Sequence, residues 1–226
     1  MKSRAETLMS AVLTVAAVVL TGAVLTREYG FRSNAVGSTP PSGEPELYED
    51  WREWIAHGEI SGDDSASAIV IEFADFECPA CRRFHHAVLT PVKDTFGASV
   101  AVVFMHLPLS MHRFAEPAAR ASECASNQAR FFQFADVVFE KQDSLGLKTW
   151  SSYAAEAGVT DAERYSNCVS LQTSFPRIAM GKSIATELGI TGTPTVFING
   201  WRFPTPPSEA EMERVIGEIL AGRAPF

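Results

Sequence analysis

The chain has 226 residues, is 46% hydrophobic and 20% charged, and carries a formal net charge of −8. That balance is ordinary for a globular protein, and the roughly 170–180 residues between the two ends suffice for a real core in one domain. A nucleic-acid partner is excluded, because binding one needs a basic patch or stripe, and the chain has none.

Lys2 and Arg4 precede an uncharged apolar stretch at 8–25. About eighteen apolar residues just span a bilayer, and a basic start favours cytoplasmic retention of that end. Residues 1–30 therefore read as an N-terminal membrane anchor, or as a signal segment with Thr21–Ala23 as a weak cleavage site. A buried core helix is the third reading. Anchor and signal both place the remainder on the extracytoplasmic side, tied to the membrane by 8–25 in the first case. "SNAVGSTPPSGEP", 33–45, is rich in Ser, Gly and Pro, so 31–45 reads as a flexible linker.

Leu47, Trp51, Trp54 and Ile55 recur at helical spacing and predict a short helix ending at Gly58. "SAIVIEFADF", 67–76, is an apolar, β-branched run and predicts a buried central strand. A helix follows over 80–97, which Pro91 should kink or split. A second strand follows at 99–109. Strand, helix, strand implies a parallel pair. Residues 111–187 carry only helix signals, with Asp161 as one N-cap. A strand then runs from 193 to an Asn-Gly turn at 199–200 and pairs with "WRF" as a hairpin. The last helix, 207–222, starts with Ser208 and Glu211 at capping-box spacing. The expected fold is α/β: one domain over 46–226, its sheet built from two halves, with an all-helical insertion at about 111–187.

Export bears on the four cysteines, because an even number in an oxidising compartment suggests disulfides. Cys78 and Cys81 form a C-x-x-C before a helix. A metal site would need two more ligands at suitable spacing, and only His85 and His86 lie close by. A purely structural bridge across so short a loop gains little entropy. The context favours a redox pair. Cys78 would sit at the mouth of the helix, where free N–H groups and the dipole favour a reachable thiolate. Cys81, one turn inside, would resolve the mixed disulfide, and Pro79 suits the first turn. No metal and no cofactor is expected.

Glu72 lies six residues before Cys78. It reads either as an exposed strand residue or as a buried carboxyl of raised pKa that exchanges a proton with Cys81. Asp75 and Glu77 are expected to face solvent beside the site, where their charge would oppose the helix dipole. Pro194 reads as an ordinary trans proline at a strand entry or as a cis proline opposite the C-x-x-C, leaving Thr193 free to pair with a peptide. His106 and His112 read as packed or hydrogen-bonded residues, and the phenylalanines of "RFFQF", 130–134, as core.

"VIEFADFECPAC", "LPLSMHRFAEPAARASECA" and "LGITGTPTVFING", in this order, resemble the DsbA-like thiol–disulfide oxidoreductases of the thioredoxin superfamily over about 60–222. The resemblance implies a thioredoxin fold with an inserted helical domain. It implies Cys78 as nucleophile, Cys81 as resolving thiol, Glu72 as the buried acid and Pro194 as a cis proline. Thr193, Pro194, Pro79 and Ala80 would contact substrate. It also implies exported proteins with thiols or disulfides as partners, and a membrane redox partner of the DsbB or VKOR type. One departure stands out: strongly oxidising members have Pro-His between the cysteines, and this chain has Pro-Ala. Ala80 offers the thiolate no donor, which points to a weaker oxidant and leaves open a reductase or isomerase. A membrane-tethered peptide-binding or holdase module is the reading from another class. Cys124 and Cys168 both fall in the helical block. They read as a structural disulfide closing about 45 residues, as two free thiols, or as a second redox pair.

Overall fold

The structure is a computed structural model and describes residues 43–171 and 175–226. The expected N-terminal anchor, and the linker up to residue 42, lie outside the described residues. Among the described residues no helix is long and apolar enough to cross a membrane.

The centre is β3, Ala68–Ala74, in which every residue is buried. It pairs in parallel with β4, Val100–His106, and antiparallel with β5, Thr195–Ile198. A strand covered on both faces needs apolar residues at every position, which is why "AIVIEFA" shows a continuous run rather than alternation. β5 turns through Asn199 (φ 46) and Gly200 (φ 86) into β6, Trp201–Arg202. Successive positive φ values are what a two-residue hairpin turn requires. Among the described residues the sheet has six strands, in the order β1 (Glu46–Leu47), β6, β5, β3, β4 and β2 (Glu59–Ser61).

The two outer strands leave no signal in the sequence pattern. β1 is Glu46–Leu47 and β2 is Glu59–Ser61. Leu47, expected on a helix, is an exposed strand residue, and the helix is a 3₁₀ helix over Glu49–His57. Two- and three-residue edge strands carry too little pattern to compete with a nearby helical spacing.

Helices cover both faces of the sheet. On one side lie α1, Pro79–Phe84, and α2, Thr90–Phe96, joined by a π-turn over His85–Leu89. The expected break at Pro91 takes this form: the Thr90 N–H and Oγ1 both donate to the His85 carbonyl, so the chain bulges and the helix continues. The C-terminal helix α8, Glu209–Leu220, shares that face, its N-cap Ser208 accepting from the Glu211 N–H at 3.3 Å. On the other face lie the 3₁₀ helix and α7, Pro176–Glu187. A Cβ at Gly181 would meet the His106 carbonyl oxygen at 2.3 Å, so only glycine lets α7 approach β4 this closely.

The helical block consists of α3, Ala115–Ser126, α4, Phe131–Glu140, α5, Trp150–Glu156, and α6, Ala162–Ser170. Asp161 caps α6, accepting from the Arg164 N–H at 2.9 Å. Phe131, Phe134, Phe139, Tyr153 and Tyr165 are fully buried in this block and form one cluster with Phe76, Cys78 and Cys81. The block thus packs directly against the C-x-x-C segment. α7, part of the same run of helix signals, packs on the sheet instead. Cys124 in α3 and Cys168 in α6 are joined by a disulfide with Cα atoms 5.7 Å apart.

Candidate active site

β3 ends at Ala74, and the chain turns so that the Cys78 N–H donates to the Asp75 carbonyl at 3.1 Å. Cys78 is the N-cap of α1 with Pro79 at its first position, where the missing N–H costs nothing. β5 runs antiparallel to β3 and starts opposite Phe73, so the residues before it pass the end of β3 where Cys78 sits. Those residues are Thr193 and Pro194, joined by a cis peptide bond. The Cys78 Sγ donates to the Thr193 carbonyl at 3.3 Å. Pro79 is exposed, Ala80 and Thr193 are half-buried and Pro194 is buried. The sheet therefore brings Cys78, Cys81, Glu72, Thr193 and Pro194 to one place, while Cys124 and Cys168 form their own bond in the helical block.

The two thiols of the C-x-x-C are free and differ in surroundings. Cys81 is fully buried and Cys78 keeps 6% of its surface exposed. The sequence predicts an accessible Cys78; it is nearly closed, because the helical block packs over it, yet it is the only one of the pair with any surface. A hydrogen bond from the Cys81 thiol is the main cause that lowers the Cys78 pKa. Burial works against it, and the Thr193 side chain and the backbone N–H groups of Cys81 and Ala80 add to the lowering, which reaches about 5. The Thr193 hydroxyl has no partner while Cys78 is a thiol, so it is available to donate to a thiolate. Burial, the hydrogen bond with Cys78 and the field of Glu72 push Cys81 well above the ordinary thiol value.

Glu72 is fully buried and neither carboxyl oxygen has a hydrogen-bond partner. It lies between Phe104 and Val196 across the sheet, on the same face as Val70. Burial, reinforced by the Cys78 charge, raises its pKa to about 8. A carboxyl of that kind can hold a proton at neutral pH and hand it to a neighbouring sulfur.

Asp75 overturns an expectation. It is 2% exposed rather than solvent-facing. Its Oδ1 accepts from the Glu77 N–H at 2.8 Å, and its Oδ2 from the Leu109 N–H at 2.8 Å and from His112 Nδ1 at 2.7 Å. Glu77 is half-buried and accepts from the Phe114 N–H. The loop after β4 folds back over the site, its backbone donors have no strand to pair with, and these carboxylates supply the acceptors. Burial works against a charge on His112, but Asp75, Cys78 and Glu77 outweigh it and raise its pKa. His106 is buried and bonded to Glu123 Oε1 at 2.9 Å, away from the thiols. Gln142, which the sequence did not mark at all, donates to the Phe76 and Cys78 carbonyls at 2.8 and 3.0 Å. A lone Gln after a helix carries no signal that separates it from a surface residue.

A nucleophilic thiol at a helix mouth, a sealed second thiol one turn on and a buried acid on a thioredoxin-fold sheet define a thiol–disulfide oxidoreductase. Residues 56–218 match the thioredoxin family, and the chain belongs to it as a DsbA-like member. BdbD from Bacillus subtilis superposes with a TM-score of 0.66 at 22% identity, covering 80% of this chain and 98% of that one. Alpha-DsbA1 from Wolbachia pipientis superposes with a TM-score of 0.62 at 25% identity, covering 73% and 92%. Among curated proteins, Na(+)/H(+) antiporter NhaA 1 from Mycolicibacterium vanbaalenii is 34% identical over 160 residues, 70% of this chain and 26% of that protein. The chain thus spans about a quarter of the length of that antiporter.

Proposed function

We propose that the protein works outside the cytoplasm and introduces disulfides into exported proteins through Cys78 and Cys81. In the oxidised state a substrate thiolate attacks the sulfur of Cys78, the only one of the pair with exposed surface, and Cys81 leaves as a thiolate. The neutral carboxyl of Glu72 gives that thiolate its proton. A second substrate thiolate then attacks its own sulfur in the mixed disulfide and releases Cys78 as a thiolate, which the helix mouth stabilises. Two electrons pass from substrate to enzyme, which is left with Cys78 as a thiolate, Cys81 as a thiol and Glu72 ionised. A membrane electron acceptor of the DsbB or VKOR type would take those electrons. No transport activity is proposed on the strength of the antiporter match.

The observation that carries this reading is the split between the two sulfurs, one stabilised as a thiolate and one sealed as a thiol. A stabilised reduced form makes the couple more oxidising. Against a nucleophile titrating near 7, as in thioredoxin, a value near 5 favours the dithiol by about 2 kcal/mol at pH 7, on the order of 50 mV. Ala80 contributes only its backbone N–H, so the Cys81 thiol and Thr193 take the place of a histidine between the cysteines. The test is the reduction potential of the folded domain against glutathione. A potential of about −220 mV or higher supports the oxidase, and one near −270 mV, where thioredoxin lies, replaces it with a reductase. Exchange that persists in Cys78→Ser would sink both and favour a peptide-binding module.

A further inference from the structure

Gln142 opens the short 3₁₀ turn Gln142–Ser144 just after α4. Its side chain is buried and both amide hydrogens are used, one on the Phe76 carbonyl and one on the Cys78 carbonyl. The flanking residues grip the same segment. Arg82, next to Cys81, donates to Asp143 Oδ2 at 3.0 Å and to the Glu140 carbonyl at 3.2 Å. Residues 140–143 of the helical block therefore hold residues 76–82 at three points.

The Cys78–Pro79 peptide has no N–H, so its carbonyl is its only hydrogen-bonding group. That carbonyl accepts from the Arg82 N–H, which closes the first turn of α1, and from Gln142. The orientation of this peptide plane helps set how the Cys78 sulfur lies against the Ala80 and Cys81 N–H groups, both of which favour its thiolate. A neutral amide brings no charge to the sulfur, so any influence of Gln142 runs through that orientation.

We propose that Gln142 is a positioning residue for thiol–disulfide exchange, through which the helical block holds the mouth of α1 in the geometry that stabilises the Cys78 thiolate. This rests on the reading of Cys78 as the attacking sulfur. It assigns the helical block a part in the chemistry beyond covering the site.

The test uses the full chain in reduced form with Gln142→Met and Gln142→Leu, which keep an uncharged side chain of similar bulk and remove the paired donors. The thiolate is followed by its ultraviolet absorbance between pH 3 and 9, and the reduction potential is measured alongside. The expected result is a titration shifted up by about one unit, which lowers the thiolate fraction at pH 5.5 about threefold, with a more reducing potential. Variants that lose thermal stability but keep the parent titration and potential would reduce Gln142 to a structural residue and overturn the proposal. Should neither variant fold, the parent protein decides by nuclear magnetic resonance. The Gln142 side-chain amide should exchange slowly with solvent and shift between oxidised and reduced forms; rapid exchange and no shift would overturn the proposal. A parent protein whose Cys78 titrates as an ordinary thiol fails at the earlier step, so the two failures are distinguishable.

Discussion

Among the described residues two glutamates are buried, and their surroundings drive them in opposite directions. Glu72 on β3 has no hydrogen-bond partner, and burial raises its pKa to about 8. Glu123 on α3 is 6% exposed. It is bonded to His106 at 2.9 Å, and both of its oxygens accept from Arg177 Nε at 3.0 Å. Burial pushes its pKa up, but His106 and Arg177 outweigh that and hold it below the ordinary carboxylate value. The same side chain is thus a proton carrier beneath the thiols and a fixed anion at the seam of α3, α7 and β4. A cation within reach makes the difference.

The pH dependence of stability follows with opposite signs. The folded pKa of Glu72 is raised, so its contribution is fully present below about 4.5 and is lost as pH rises toward 8. The folded pKa of Glu123 is depressed, so its contribution is present above about 4.5 and is lost as pH falls below that. In the reduced protein Cys78 opposes Glu72. Its folded pKa is lowered from 9.0 to about 5, so its contribution is present above the unfolded value and is lost as pH falls through about 5.

Three experiments sharpen or break this contrast. Removing the Cys124–Cys168 bridge with a double alanine variant should cost about 4 kcal/mol from loop closure alone. Chemical denaturation measures the loss, and exchange by the folded fraction should persist. If exchange vanished with the bridge, Cys124 and Cys168 would belong to the chemistry as a second redox pair. Glu123→Ala should cost about 3 kcal/mol, because it strands His106 and takes one carboxylate from Arg177, which still reaches Glu59 at 2.9 Å. Its exchange rate per folded molecule should match the parent, and a slowed rate would erase the distinction between the two glutamates. Glu72→Gln should slow exchange about 100-fold, the usual scale for one general acid–base group. It should also remove the loss of stability between pH 5 and 8 that Glu72 imposes. A variant as fast as its parent would leave Glu72 a structural residue.

The central elements were legible because their physics is local. The run at 67–76 announces a doubly covered strand by its unbroken apolar character, and Asn199-Gly200 announces the hairpin by its backbone freedom. Cys78, Cys81 and the acid six residues earlier could be read as one group because strand, turn and helix mouth follow each other directly in the chain. Asp75 was misread for the opposite reason. An acid beside a loop normally faces water, and it is buried here because the loop after β4 returns to it, with the Leu109 N–H 34 residues on and the His112 ring 37 residues on. Gln142, 64 residues from Cys78, left no trace, since one amide in a polar stretch has no period and no partner in sequence.

The order of residues alone determined which sulfur caps a helix and which lies a turn inside, because the C-x-x-C spacing and Pro79 act within a few bonds. Only the folded arrangement decided how strongly the sulfurs differ and which buried acid stays neutral. Those quantities depend on distances to Thr193, Glu72, His106 and Arg177, and electrostatic fields follow distance in space rather than separation along the chain.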